Sequence, residues 1–214
     1  MKQKYRATNF NMSYAELSGI CRQKANTIMR DIAEFERFNI SAEEIIEYKE
    51  SVKEFDNMQI DQELLGLVTA VTHQKGKLAE QVRSRIKELS IFIKQYFGIK
   101  SSVYQSLRIK DMSRMTDLQL YRMANGVIRI ARRIDNSSAS AIEGIILELE
   151  TTNNLFDKII EEKATMAENR NIATDKRIEA ANQLYEKLSN YCEIGRVIWY
   201  ETHEAKYNDY IIYG

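Results

Sequence analysis

Residues 61–97, DQELLGLVTAVTHQKGKLAEQVRSRIKELSIFIKQYF, decide the fold. Leu64, Val68, Val71, Lys75, Leu78, Val82, Ile86, Leu89, Ile93 and Tyr96 recur at steps of three and four. That spacing lines one face of an α-helix. Asp61 stands where an N-cap is expected, and Gly98 follows Phe97 where a left-handed residue can close a helix. At a rise of 1.5 Å per residue the predicted helix is about 55 Å long. A single apolar stripe of that length needs other helices to cover it.

Towards the N-terminus the chain supplies two. A first helix, predicted over about 12–37, places Tyr14, Cys21, Ile28 and Phe35 at seven-residue intervals, with Ser18, Ala25 and Ile32 between them. A second, over about 42–57, carries Ile45, Tyr48, Val52 and Phe55 inward. Ser41 followed by Glu44 is a capping-box match at its start.

Beyond the long third helix, residues 98–116 show no strong period; Ser101 or Ser102 is placed to cap a short fourth helix holding Val103, Tyr104 and Leu107. Thr116 with Gln119 is a second capping-box match and opens a fifth helix with Leu120, Met123, Val127, Ile130 and Ile134 inward. The polar run Asp135–Ser138 then interrupts the pattern and marks the expected boundary between a bundle, 1–136, and a C-terminal segment, 137–214. That segment carries one stripe through Ile142, Ile146, Leu149, Phe156 and Ile160, and another through Ala181, Leu184, Leu188, Tyr191, Ile198 and Trp199. Between them the stripe positions are polar: Lys163, Arg170, Thr174 and Arg177. The heptad phase runs on unbroken, which allows one helix of about sixty residues. The preferred reading is an antiparallel hairpin with its tip near Asn169–Thr174, because helices much beyond about 25 residues are uncommon in globular domains.

Composition agrees with a helical chain. There is no proline and only 8 glycines in 214 residues, which excludes collagen and proline-rich recognition segments and disfavours a turn-dense β-sandwich. Lys+Arg and Asp+Glu are both 31, so no net-charge argument for nucleic acid or an acidic membrane arises. The start, MKQKYRATNFNMSY, has no apolar run of signal-peptide length, and no window reads as a membrane span. Cys21 and Cys192 both fall on apolar stripes and read as buried thiols in a reducing cytoplasm. The predicted fold is all-α: an elongated antiparallel bundle of about six or seven helices, with a C-terminal helical hairpin and a short extended tail.

The chain is poor in recognisable chemistry. Its two histidines, His73 and His203, have no partner spacing, and Glu-x-x-His, the strong signal of a di-metal bundle, is absent. No nucleophile elbow, phosphate loop or dinucleotide fingerprint occurs. No catalytic, cofactor or metal residue is nominated, and the chain reads as no enzyme. Three surface features remain. Glu43, Glu47, Glu50 and Glu54 line one face of the second helix and read as a solvated acidic face. Arg122, Arg129 and Arg133 share a face of the fifth, beside Arg132, and form a candidate nucleic-acid face; a solvated or ion-paired face is the commoner reading, and an internal contact with the acidic stripe is a third. Trp199, Tyr200, Tyr207, Tyr210 and Tyr213 crowd the C-terminal end and are candidate partner-binding residues, since tyrosine is favoured at interface hot spots. Residues 209–213, DYIIY, are β-prone, and the tail from Lys206 is expected to be extended and covered by its own bundle or another chain.

The stretch IATDKR at 172–177, continuing through IEAANQLYEKLSNYCEIGRVIW to Glu204–Tyr210, resembles uncharacterised all-helical proteins common in Bacteroidetes. MTDLQLYRMANGVIRIA leading into a long helical pair is similar in outline to the same group. The resemblance implies a helical bundle and transfers no functional residue. The expectation from the whole sequence is a non-enzymatic helical interaction or structural module, with a protein partner or self-association favoured over nucleic acid. A spatially assembled active site is the remaining alternative.

Overall fold

The computed structural model describes residues 7–134 and 139–213, the side chains of 139–141 excepted. The described residues are 82% helical, with no strand among them. Its helices are α1 (Tyr14–Arg30), α2 (Ile32–Phe35), α3 (Ala42–Asp56), α4 (Asp61–Phe97), α5 (Ser102–Ser106), α6 (Asp117–Ala131), α7 (Ala139–Trp199) and α8 (Glu204–Asn208). The second and fifth predicted helices are thus α3 and α6.

The chain forms two compact units. One is discontinuous, combining the residues up to Asp61 with those from Arg170 onward; the other, Gln62–Asn169, is inserted between them. The expected division at 136/137 is therefore not where the compact units part. The C-terminal half of α7 packs Ala181, Leu184, Leu188, Tyr191 and Cys192 into the same core as Leu17, Cys21 and Ile28 of α1 and Ile45, Tyr48 and Phe55 of α3. The two ends of the chain share one apolar cluster, so neither closes alone. The polar run Asp135–Ser138 lies outside the described residues.

In the discontinuous unit, Ser13 and Glu16 form a reciprocal capping box at the start of α1, a local signal the sequence reading passed over. The predicted first helix is broken at Asp31, and a 3₁₀ turn at Glu36–Phe38 ends in Asn39 with φ 60°. Asn tolerates this left-handed conformation better than most residues. Ser41 caps α3 through the Glu44 N–H, but the Glu44 carboxylate turns instead to the Tyr191 hydroxyl, 2.7 Å away.

The inserted unit packs Val71, Val82, Ile86, Leu89 and Ile93 of α4 against Leu120, Ala124 and Val127 of α6 and Ile142, Ile146, Leu149 and Phe156 of α7. Gly98, at φ 82°, closes α4 as predicted. Ser101 caps α5, and Thr116 with Gln119 forms the expected capping box of α6. Asn153 is wholly buried, with its amide donating to the Tyr121 carbonyl and to Asn125 Oδ1.

Two expectations need correction. The hairpin tip near Asn169–Thr174 does not exist, because α7 is one helix through that stretch. Three of the four polar stripe residues that suggested a turn, Arg170, Thr174 and Arg177, are ligands for the α3–α4 connection. Arg170 forks onto Asp61 with two bonds of 2.8 Å, and Arg177 donates to the carbonyls of Met58 and Gln59 while its guanidinium lies over the rings of Tyr14 and Phe55. Residues 161–176 also contain neither glycine nor proline to turn the chain. Asp61 accordingly serves as an acceptor for α7 and as the first residue of α4. The tail, second, is not extended from Lys206: Glu204–Asn208 is a helical turn whose first free N–H groups are met by His203, with Nδ1 accepting from Lys206 N–H.

Candidate functional site

Of the five C-terminal aromatics Tyr210 is buried, Trp199 and Tyr207 are half-buried, and Tyr200 and Tyr213 are exposed. Tyr210 is wholly buried, so it is a strap within its own unit and no exposed anchor. Its ring lies flat against Gly195, where a Cβ would come within 2.3 Å of the ring, and beside Phe35 at 5.6 Å between centroids. Only glycine admits the ring there. The Tyr210 hydroxyl donates to Asp31 Oδ2 at 3.0 Å. Asp31 is itself buried and also accepts from Arg30 and from Lys206 Nζ at 2.9 Å. Burial by itself would raise the Asp31 carboxyl; the donors from Arg30, Lys206 and Tyr210 outweigh it and hold the group at about 2. The Tyr210 hydroxyl shifts upward, through burial first and then through its bond to this carboxylate.

Further contacts fasten the same segment. Lys24 donates to the Asp209 carbonyl, and Arg30 pairs with the Asp209 carboxylate. Lys206 lies 3.9 Å from the Trp199 ring centroid. Tyr200 and Tyr207 meet edge to face, and Tyr213 donates to the Tyr185 hydroxyl. Of the five aromatic candidates, Tyr200 and Tyr213 remain exposed.

Buried titratable groups elsewhere in this unit are also committed to the core. Burial pushes the Cys21 and Cys192 thiols up to about 11, and both are free and buried. The Tyr48 hydroxyl donates to the Leu184 carbonyl. Among the described residues no cluster of His, Cys, Asp or Glu stands in the arrangement of a metal site, and no helix is long and apolar enough to cross a membrane.

The α6 face is different. Arg122, Arg129 and Arg133 are exposed and form no ion pair or side-chain hydrogen bond among the described residues, while their neighbour Arg132 pairs with Glu150. The other arginines of the described chain mostly have partners: Arg22 with Asp56, Arg30 with Asp31, Arg83 with Glu80, Arg85 with Glu88 and Glu148, and Arg170 with Asp61. Arg122 also edges a groove of about 650 Å³ between α6 and the segment 106–115. Leu107, Met115, Met123 and Ile130 supply its apolar lining, with Arg108 and Arg114 at its rim. Gly126 adds open space, since a Cβ there would meet nothing within 4 Å. Arg129 continues the positive face along the helix outside the groove, whereas Arg133, expected on the same helical face, lies in the turn after α6 ends at Ala131.

Arg114 and Arg108 escaped the sequence reading because residues 98–116 carry no period from which a facing can be inferred. Arg108 sits at φ 52° and pairs with Asp111 three residues on, which leaves Arg114 as a further arginine without an ion-pair partner among the described residues.

The acidic stripe of α3 lies on the discontinuous unit. Glu43, Glu47 and Glu54 are exposed and form no ion pair among the described residues, while Glu50 pairs with Lys53. Ile46 stands between them, 52% exposed. No family model matches the chain, and no curated protein or solved structure does so either.

Proposed function

We propose that this protein is a non-enzymatic helical interaction module whose working surface is the arginine face of α6. The observation that carries the reading is the concentration of partnerless arginines, Arg114, Arg122, Arg129 and Arg133, on one short stretch of a chain whose formal charge is zero. Guanidinium groups without internal carboxylates are available to an acidic partner, and planar bidentate donation suits carboxylate or phosphate. The adjoining groove adds an apolar floor with two methionines, whose flexible thioethers adapt to varied surfaces. The Bacteroidetes likeness of the C-terminal stretch bears on fold alone, so the reading rests on this chain's own residues. It is in keeping with a reducing cytoplasm, where the buried thiols of Cys21 and Cys192 stay reduced.

Retention on immobilised polyglutamate at low salt tests the reading. Wild-type protein should be retained, and the triple variant R122S/R129S/R133S should elute freely with its helicity unchanged. Equal elution of the two would remove α6 as the working surface. Nucleic acid is the second reading, favoured by the stripe geometry of the same arginines. Binding of duplex or single-stranded probes should then fall steeply with salt, because phosphate contacts release counterions.

A further inference from the structure

We propose that the α6 face receives the acidic face of α3 from a second copy of this chain. The inference rests on α6 being an interaction surface and names its occupant. The argument is one of charge and register. Arg122, Arg129 and Arg133 are separated by seven and four residues; Glu54, Glu47 and Glu43, read in reverse, are separated by the same seven and four. All six are exposed and without an ion-pair partner among the described residues. Arg122 to Arg129 on α6 and Glu54 to Glu47 on α3 each span about 10 Å along the helix, from the rise of an α-helix, and Arg133 follows two residues past the end of α6.

An antiparallel approach therefore aligns Arg122 with Glu54 and Arg129 with Glu47, and carries Arg133, in the turn just past the end of α6, towards the Glu43 end of the acidic stripe. The same register brings Ile46, an exposed apolar residue between Glu43 and Glu47, opposite Ile130, which lines the groove. Glu50, absent from the alignment, is the glutamate already paired within its own helix, to Lys53. Charged rims around an apolar centre fix register and orientation more than they raise affinity, as electrostatic complementarity generally does. The contact joins unlike patches, so it is heterologous and grows with concentration.

Sedimentation of the full-length chain at about 25 mM and about 500 mM salt, where the Debye length falls from about 20 Å to a few ångströms, reads the association directly. Concentration-dependent growth in mass is expected at low salt, with the dissociation constant rising at least about tenfold at high salt. The charge reversals R122E/R129E/R133E and E43R/E47R/E54R should each sediment as monomers. Mixed in equal amounts they should associate again, because each supplies the face that complements the other. Circular dichroism and melting of each variant establish that it is folded, and the single reversal pair R129E with E47R repeats the exchange with less perturbation. A wild-type protein that stays monomeric at every concentration, or reversed variants that fail to restore association when mixed, overturns the inference. If polyglutamate retention nevertheless depends on the arginines, the working surface stands and its occupant is foreign. If retention is also absent, both readings fall.

Discussion

Asp31, at the break between α1 and α2, and Arg129, on α6, are both charged residues of a chain with no net charge, yet their surroundings are opposite. Asp31 is buried, and Arg30, Lys206 and Tyr210 donate to its oxygens. Arg129 is exposed and has no such partner among the described residues. At the first site charge has been taken up in fastening the C-terminal strap; at the second it remains available. A side chain's type says little about which of these it will be. The count of its partners does, and that count is a property of the folded chain.

Four experiments test this contrast, in descending order of expected effect. Tyr210→Ala or Phe35→Ala should lower unfolding free energy by about 3–5 kcal/mol, the range for deleting a buried aromatic. Urea denaturation measures it, and a loss below about 1 kcal/mol would show that the strap is ornamental to the fold. Asp31→Asn comes next, with an expected loss of about 1.5–3 kcal/mol, the range for a hydrogen bond to a charged group. Its pH signature has a definite sign. The folded carboxyl sits near 2, below the ordinary unfolded value of about 3.9, so its stabilisation is complete above that unfolded value. It is lost as pH falls from about 5 towards 2. The wild type should lose stability more steeply than Asp31→Asn over this window, and parallel curves would remove Asp31 from the strap.

Gly195→Ala should cost about 1–3 kcal/mol, as overpacking does, because the new methyl meets the Tyr210 ring. A crystal structure of this variant should show the ring displaced; an unmoved ring would break the argument. At the other pole, Arg129→Ser and His73→Ala should each change stability by less than about 0.5 kcal/mol, as exposed positions do. Only the first should affect association. A large melting shift for Arg129→Ser would mean that the arginine has structural partners after all.

Much of the helical plan was legible because its signals are local. The period of 61–97 and the glycine after it identify α4, and Thr116 with Gln119 identifies the start of α6. The errors fall where a residue's role depends on something distant in sequence. Asp61 reads as an N-cap until Arg170 is seen to grip it, and Arg170 reads as part of a turn until Asp61 is seen to hold it. Tyr210 reads as an anchor because the vacancy over Gly195 is visible only in three dimensions. The candidate site was half legible. Helical spacing sufficed to put Arg122 and Arg129 on one face, but it carried the helix on to Arg133, which lies past its end, and the groove floor draws Leu107 and Met115 from an aperiodic segment. That the arginines lack ion-pair partners among the described residues is a property of the folded chain that their spacing does not carry.

The fork between Asp61 and Arg170 has a consequence for chain connectivity. Those two residues are where the discontinuous unit hands the chain to the insertion and takes it back, and they are bonded to each other. The chain ends left by excising 62–169 would therefore already be neighbours. A short flexible linker between them would preserve every core contact made by α1, α3, the second half of α7 and the strap, because those residues all lie outside the excised stretch. What reads along the sequence as two distant ends is, in topological terms, a single small domain with a removable loop.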